Sequence, residues 1–155
     1  MAGNSRLATA IHVAGMLSFA EQMPLTSEAI AQSCNTNAVV IRRIIGLLTR
    51  HNLVTVKMGS GGGARLTKNP NEITLAEIYQ ALDEGAVFEV PQFDESFHCE
   101  IGKIVRPILA DVLNIAEQSL LKTLDQITLA AVIEQVKVKM HKNCDDEIQN
   151  PKSQI

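Results

Sequence analysis

Three features of the sequence predict a mainly α chain with a small β-hairpin wing, a winged helix-turn-helix followed by a long dimerisation helix. Two short helical segments are joined by the polar turn Cys34-Asn35-Thr36-Asn37. An alternating strand and its return flank the glycine run 59–63. A stretch of about 24 residues with helical period then carries more apolar positions than one small domain can cover.

The elements follow in order. From Arg6 to about Ala20, Leu7, Ala10, Ile11, Ala14, Leu17 and Ser18 recur at three- and four-residue steps, with Ser5 as the expected N-cap. Pro24 ends that stretch. Ser27 is expected to cap a second helix, Glu28 to Ser33, with Ala29 and Ile30 facing inward. The third helix runs from Asn37 to about His51. At 100° per residue, Ile41, Ile44, Ile45 and Leu48 form an inward stripe, while Val39, Arg43, Gly46 and Arg50 lie opposite with Arg42 beside them. Leu53 to Val56 alternates and is rich in β-branched residues, and Ala64 to Leu66 returns as its partner. Thr74-Leu75-Ala76-Glu77 is a capping box opening a helix to about Glu84.

Residues 1–84 thus form the expected winged helix-turn-helix domain. Residues 85–100 read as a linker, carrying Gly85 and Pro91. Residues 101–140 hold the long helix, Ile101 to Leu124, and a last helix from Thr128 to Met140 that packs through Leu129, Val132, Ile133 and Val136. Residues 141–155 read as a polar, frayed tail. On the long helix, Ile101, Val105, Ile108, Val112 and Ile115 follow three-four steps, and Ile104, Leu109, Leu113 and Leu120 add further apolar faces. A second copy of the same helix is the economical cover. Pro107 either starts the regular part of this helix or kinks it.

Charge divides with the architecture. The 155 residues sum to −3, which alone argues against nucleic acid. Residues 1–70 hold seven basic groups (Arg6, Arg42, Arg43, Arg50, Lys57, Arg65, Lys68) against Glu21 and Glu28, a balance of +5, and the remainder carries −8. That split joins a basic working surface to an acidic scaffold. The outward face of the third helix carries Arg and no acid, and the planar Arg fork suits phosphate or guanine O6 and N7. In a winged helix-turn-helix the second helix of the pair enters the major groove of double-stranded DNA. The turn residue Thr36 and the wing shoulders Lys57, Arg65 and Lys68 are then placed beside it.

Other classes fit poorly. Aromatic residues are 3% with no Trp, too few for base-stacking platforms on single strands. The glycine run lacks a following Lys-Ser/Thr pair and precedes a strand, so it is no nucleotide loop. No paired carboxylates, activated nucleophile or cofactor fingerprint indicates an enzyme. Cys34, Cys99 and Cys144 are widely spaced, with no CxxC pair, and read as reduced intracellular thiols rather than a disulfide or zinc framework. His12, His51 and His141 read as structural or solvated, not metal ligands. No secretory signal or membrane-length apolar run is visible, so a cytoplasmic location is expected.

The opening Asn4-Ser5-Arg6-Leu7-Ala8-Thr9-Ala10-Ile11-His12, the stretch Val39 to Leu48, the wing GSGGGARL (59–66) and Ile73 to Tyr79 together resemble the Rrf-two family of bacterial transcription regulators, most closely its YwnA-like members. The resemblance extends to about Val136. It implies a dimeric regulator whose DNA-reading residues fall on Asn37, Val39, Arg42 and Arg43, with Ser5 and Arg6 near phosphates and Lys57, Gly59 and Ser60 in the wing. The expected function is that of a repressor acting as a homodimer on a (pseudo)palindromic operator. Many members place an Arg at the wing tip, where this chain has Met58, so a weaker or different minor-groove contact is expected. Iron-sulfur members cluster three cysteines before the long helix. This chain has only Cys99 there, so no cofactor is expected, and thiol sensing through Cys99 or a protein-contact role for the winged helix are the alternatives.

Overall fold

The computed structural model describes residues 4–82 and 99–149. Most of the expected linker, with His98, and the end of the tail lie outside these residues, as does the side chain of Cys144. The element order is α1 (Asn4–Phe19), α2 (Ser27–Ser33), α3 (Ala38–Arg50), β1 (Val54–Lys57), β2 (Gly63–Leu66), a 3-10 turn (Pro70–Glu72), α4 (Leu75–Ala81), α5 (Glu100–Asp125) and α6 (Leu129–Gln149).

Short polar side chains set where the helices begin. Thr26 Oγ1 accepts the Ala29 N–H at 3.3 Å and opens α2. Asn37 Oδ1 accepts the Val39 N–H at 2.8 Å and opens α3. Thr74 and Glu77 satisfy each other's backbone N–H groups in the capping box that opens α4. Each such oxygen satisfies a donor that the first turn otherwise leaves unpaired.

Two expected caps are corrected. Ser5 does not cap α1, which starts at Asn4; the Ser5 carbonyl already accepts from Thr9 Oγ1 within the helix. Ser27 is the first residue of α2, and Thr26 before it holds the extended backbone a cap requires. Further along, α5 runs continuously through Pro107. Helix α6 continues to Gln149, past the expected end at Met140, and Val136 is exposed rather than packed.

The core gathers one stripe from each element. Ala10, Val13 and Leu17 of α1 meet Ile30 of α2, then Ile41, Ile44 and Leu48 of α3, under the hairpin residues Val54, Ala64 and Leu66. β1 and β2 pair antiparallel with Val54 opposite Leu66 and Lys57 opposite Gly63. Leu25 adds a third edge, exchanging hydrogen bonds with Ala64 at 3.0 and 2.8 Å. Gly63 permits this approach: its φ is +147°, and a Cβ there would stand 2.6 Å from the Leu25 carbonyl oxygen.

The C-terminal half is joined to this core by backbone. The Leu75 N–H donates to Ile127 O at 2.9 Å and the Leu129 N–H to Ile73 O at 2.8 Å, so the starts of α4 and α6 form an antiparallel bridge at Thr74 and Thr128. Leu129 and Ile133 enter the same core as α1 and α3, so the first turns of α6 pack with the winged-helix portion. Helix α5 touches it along its second half, where Tyr79 Oη donates to Glu117 at 3.4 Å.

Two outcomes follow. Leu129→Ala removes a fully buried side chain and lowers unfolding free energy by about 2–5 kcal/mol, read as a shifted denaturant midpoint; if α6 were only loosely attached, the midpoint would hardly move. Glu77 supplies an acid-sensitive element. Burial raises its pKa, but hydrogen bonds from Lys68 and the Thr74 N–H outweigh burial and hold it below the ordinary glutamate value. Its stabilisation is therefore complete above the unfolded pKa of about 4.3 and is lost as pH falls through the lower folded value. Glu77→Gln should flatten that part of the stability-pH curve.

Candidate nucleic-acid interface

Helix α3 is held in rotation by its buried side. Ile41, Ile44, Ile45, Leu47 and Leu48 are buried, so residues on the opposite side face solvent. Val39 is 64% exposed, and Arg42, Arg43, Gly46 and Arg50 are exposed with it. Arg43, Gly46 and Arg50 are spaced by three and four residues, so they stack along one face over two turns.

The turn before α3 is built for a tight approach of the two helices. Cys34 caps the end of α2, Asn35 takes a left-handed φ of +47°, and the Thr36 N–H returns to Ala31 O at 3.0 Å. Thr36 and Asn37 are exposed at the leading end of α3. Asn37 has its oxygen committed to the cap, which leaves its NH2 group as the outward donor.

Four arginines come together beside this face. Arg6 of α1 and Arg42, Arg43 and Arg50 of α3 line an open groove with Gly46, Leu47 and Leu82. Arg43 and Arg50 make no ion pair among the described residues, whereas Arg42 donates through Nη2 to Glu28 of α2. A cluster of like charges kept at a protein surface favours an anionic partner. Arg50 and Gly46 are expected from the sequence on the outward face of this helix, although not among the DNA-reading residues. Their signal was present, since both share the helical face of Arg43. The contribution of Arg6 from α1 to this groove depends on tertiary packing and has no local signal.

The wing stands at the other end. Lys57, Met58, Gly59 and Ser60 are exposed at its tip, Met58 at 88%. Gly59 and Gly61 take φ of +90° and +70°, and the Gly62 N–H closes the tip onto Gly59 O at 2.9 Å. Arg65 lies half-buried on β2 opposite Thr55. Lys68 is held by Glu77 at 2.8 Å, so this hairpin shoulder serves the fold. Ser5 is exposed in the first turn of α1, one residue from Arg6.

The expected dimerisation residues also form one strip. Helix α5 has no buried residue. Ile101, Val105, Ile108, Val112 and Ile115 are all exposed, four of them above 50%. Their alternating steps of four and three give the 3.5-residue period of a helix-helix seam.

The thiols are placed apart. Cys34 is half-buried in the α2–α3 turn, and burial pushes its thiol pKa up, away from reactivity. Cys99 is exposed and caps α5, its Sγ accepting from the Gly102 N–H at 3.4 Å. Among the described residues, no group of three His, Cys, Asp or Glu side chains is placed to hold a metal ion. No described helix is long and apolar enough to cross a membrane.

A capped helix pair with an arginine face, followed by a glycine-tipped hairpin, defines a winged helix-turn-helix DNA-binding regulator. The chain belongs to the Rrf2 family, whose model, described as an iron-dependent transcriptional regulator, matches residues 4–135. YwnA of Bacillus subtilis strain 168, assigned by name as an HTH-type transcriptional regulator, is 35% identical over 117 residues, covering 76% of this chain and 86% of that protein. A crystal structure titled as a DNA-binding protein superposes with a TM-score of 0.67 at 32% identity, over 83% of this chain and 98% of that one. IscR of T. potens shares the fold at a TM-score of 0.63 and 20% identity, with 85% of each chain covered. The protein is therefore a transcription regulator and not an enzyme.

Gly46 provides a direct test of the groove. An interior glycine costs a helix about 1 kcal/mol relative to alanine, and a Cβ at Gly46 would meet nothing of the protein within 4 Å. Gly46→Ala should therefore raise the melting temperature while weakening binding to genomic DNA fragments in a gel-shift titration. Tighter binding, or unchanged binding, would place the DNA away from this face.

Proposed function

We propose that the chain acts as a homodimer that recognises a pseudopalindromic operator in double-stranded DNA and represses by occupying it, without an iron-sulfur cluster. The observation that carries this reading is the arginine-lined outer face of α3, held outward by the buried isoleucines. Val39, Arg42 and the Asn37 amide meet base edges in the major groove. Ser5, Arg6, Arg43 and Arg50 meet phosphates along one strand, and Lys57, Gly59, Ser60 and Arg65 bring the wing to the flanking backbone. Phosphate contacts position the protein and base contacts specify the site.

The seam on α5 supports the dimer. A strip of large apolar side chains on a helix with no buried residue is stable in water only when covered, and an identical helix related by a two-fold axis presents the complementary strip. A two-fold dimer matches half-sites on one face of DNA.

The family model's iron dependence does not fit the residues of this chain. Iron-sulfur clusters are held mainly by cysteine thiolates. The chain has three cysteines, with Cys34 in the helix-turn-helix and Cys99 opening α5. No step in the proposed function uses iron.

The decisive experiment is a gel-shift titration on genomic fragments recovered by selection with the purified protein. Wild-type binding should fall steeply with salt, by about 0.9 log units per log unit for each phosphate contact. Arg42→Ala/Arg43→Ala should abolish specific binding. Salt-independent association, or none with any fragment, would instead indicate a winged helix used for protein contact. Sedimentation should give twice the 16.9 kDa chain mass, and Val112→Asp should return the protein to the monomer.

A further inference from the structure

Glu28 is one of only two acids in the first 70 residues, and it stands on the surface that the proposed function turns toward DNA. It lies in the first turn of α2 and is exposed, as is its partner Arg42 across the helix-turn-helix. A carboxylate beside phosphates repels them, and an exposed ion pair adds little to folding stability. The contact therefore calls for a role in what Arg42 does. A hydrogen bond from its own backbone and one from Arg42 hold the Glu28 carboxyl below the usual range, against burial, so it remains a carboxylate at neutral pH.

We propose that Glu28 is a positioning residue for DNA readout, fixing the guanidinium of Arg42 so that its remaining donors address a base edge. The proposal rests on the reading that the outer face of α3 enters the major groove. Arg42 stands among Arg6, Arg43 and Arg50 around one groove, where like charges push a flexible side chain away from any single position. Glu28 counters that repulsion for Arg42 alone: it accepts from Nη2 and leaves the other N–H groups of the fork for DNA. A long side chain held before binding loses less rotamer freedom when it docks. The arginines on this face thereby divide. Arg42 is oriented for sequence, while Arg43 and Arg50, with no ion pair among the described residues, suit the less directional phosphate contacts.

The division makes a counterintuitive outcome testable. The probes are a duplex selected by the wild-type protein from a random-sequence pool, and poly(dI-dC) as non-specific DNA. Glu28→Gln removes a negative charge from a DNA-facing surface, yet affinity for the selected duplex should fall on the order of tenfold. Affinity for poly(dI-dC) should hold or rise. Glu28→Asp should recover part of the specific affinity, and in an Arg42→Ala background Glu28→Gln should no longer weaken the selected duplex. Thermal melts should show all variants folded.

Tighter binding of both probes would make Glu28 a plain electrostatic obstacle and overturn the proposal. So would an undiminished Glu28→Gln effect in the Arg42→Ala background, because Glu28 would then act through α2 itself. A wild-type protein that selects no duplex over the random pool fails at the earlier step, and the proposal falls with the DNA reading.

Discussion

Burial of Ile41, Ile44 and Leu48 fixes the rotation of α3, and the rest of the molecule depends on that constraint. A 13-residue helix has weak stability by itself. Once three large side chains are fully enclosed, it cannot turn about its axis without exposing them. The same rotation sends Val39, Arg42, Arg43, Gly46 and Arg50 outward together. Packing and the outward arginine face are thus two consequences of one pattern, isoleucine and leucine at three-four steps with arginine and glycine between them.

The surrounding elements preserve that orientation. Thr26 and Asn37 set the starts of α2 and α3, and the left-handed Asn35 sets the angle between them. Leu25 and Gly63 hold the hairpin against the region between α1 and α2. The bridge at Thr74 and Thr128 joins the start of α4 to the start of α6, so the C-terminal helices are continuous with the body that carries α3. A dimer formed along α5 would inherit that rigidity, which half-site spacing requires.

Much of this was legible in the sequence because it was local. The α3 stripe, the capping box at Thr74 and Glu77, and the glycine-tipped hairpin each depend on residues a few positions apart. The less legible parts arise from competition or distance. Ser5 and Ser27 are good capping residues, but Asn4 already begins α1 and Thr26 lies one position before Ser27. Val13 is fully buried, although the expected inward set of α1 omitted it, because the face that α1 buries is chosen by several neighbours. Leu129 and Ile133 read as a separate C-terminal helix, and their place in the main core follows from the backbone bridge between Thr74 and Thr128. The ion pair of Glu28 with Arg42 joins residues fourteen positions apart and leaves no periodic trace. The net charge of −3 averages over a basic first half that bears the α3 arginines and an acidic remainder.

Guanine N7 methylation on the selected duplex measures the location of α3 most directly. With α3 in the major groove of each half-site, binding should protect guanine N7 in two patches about one helical turn, roughly 10 base pairs, apart or a multiple of that spacing. Protection confined to adenine N3 in the minor groove would mean that the wing, not α3, carries recognition and would contradict the central assignment.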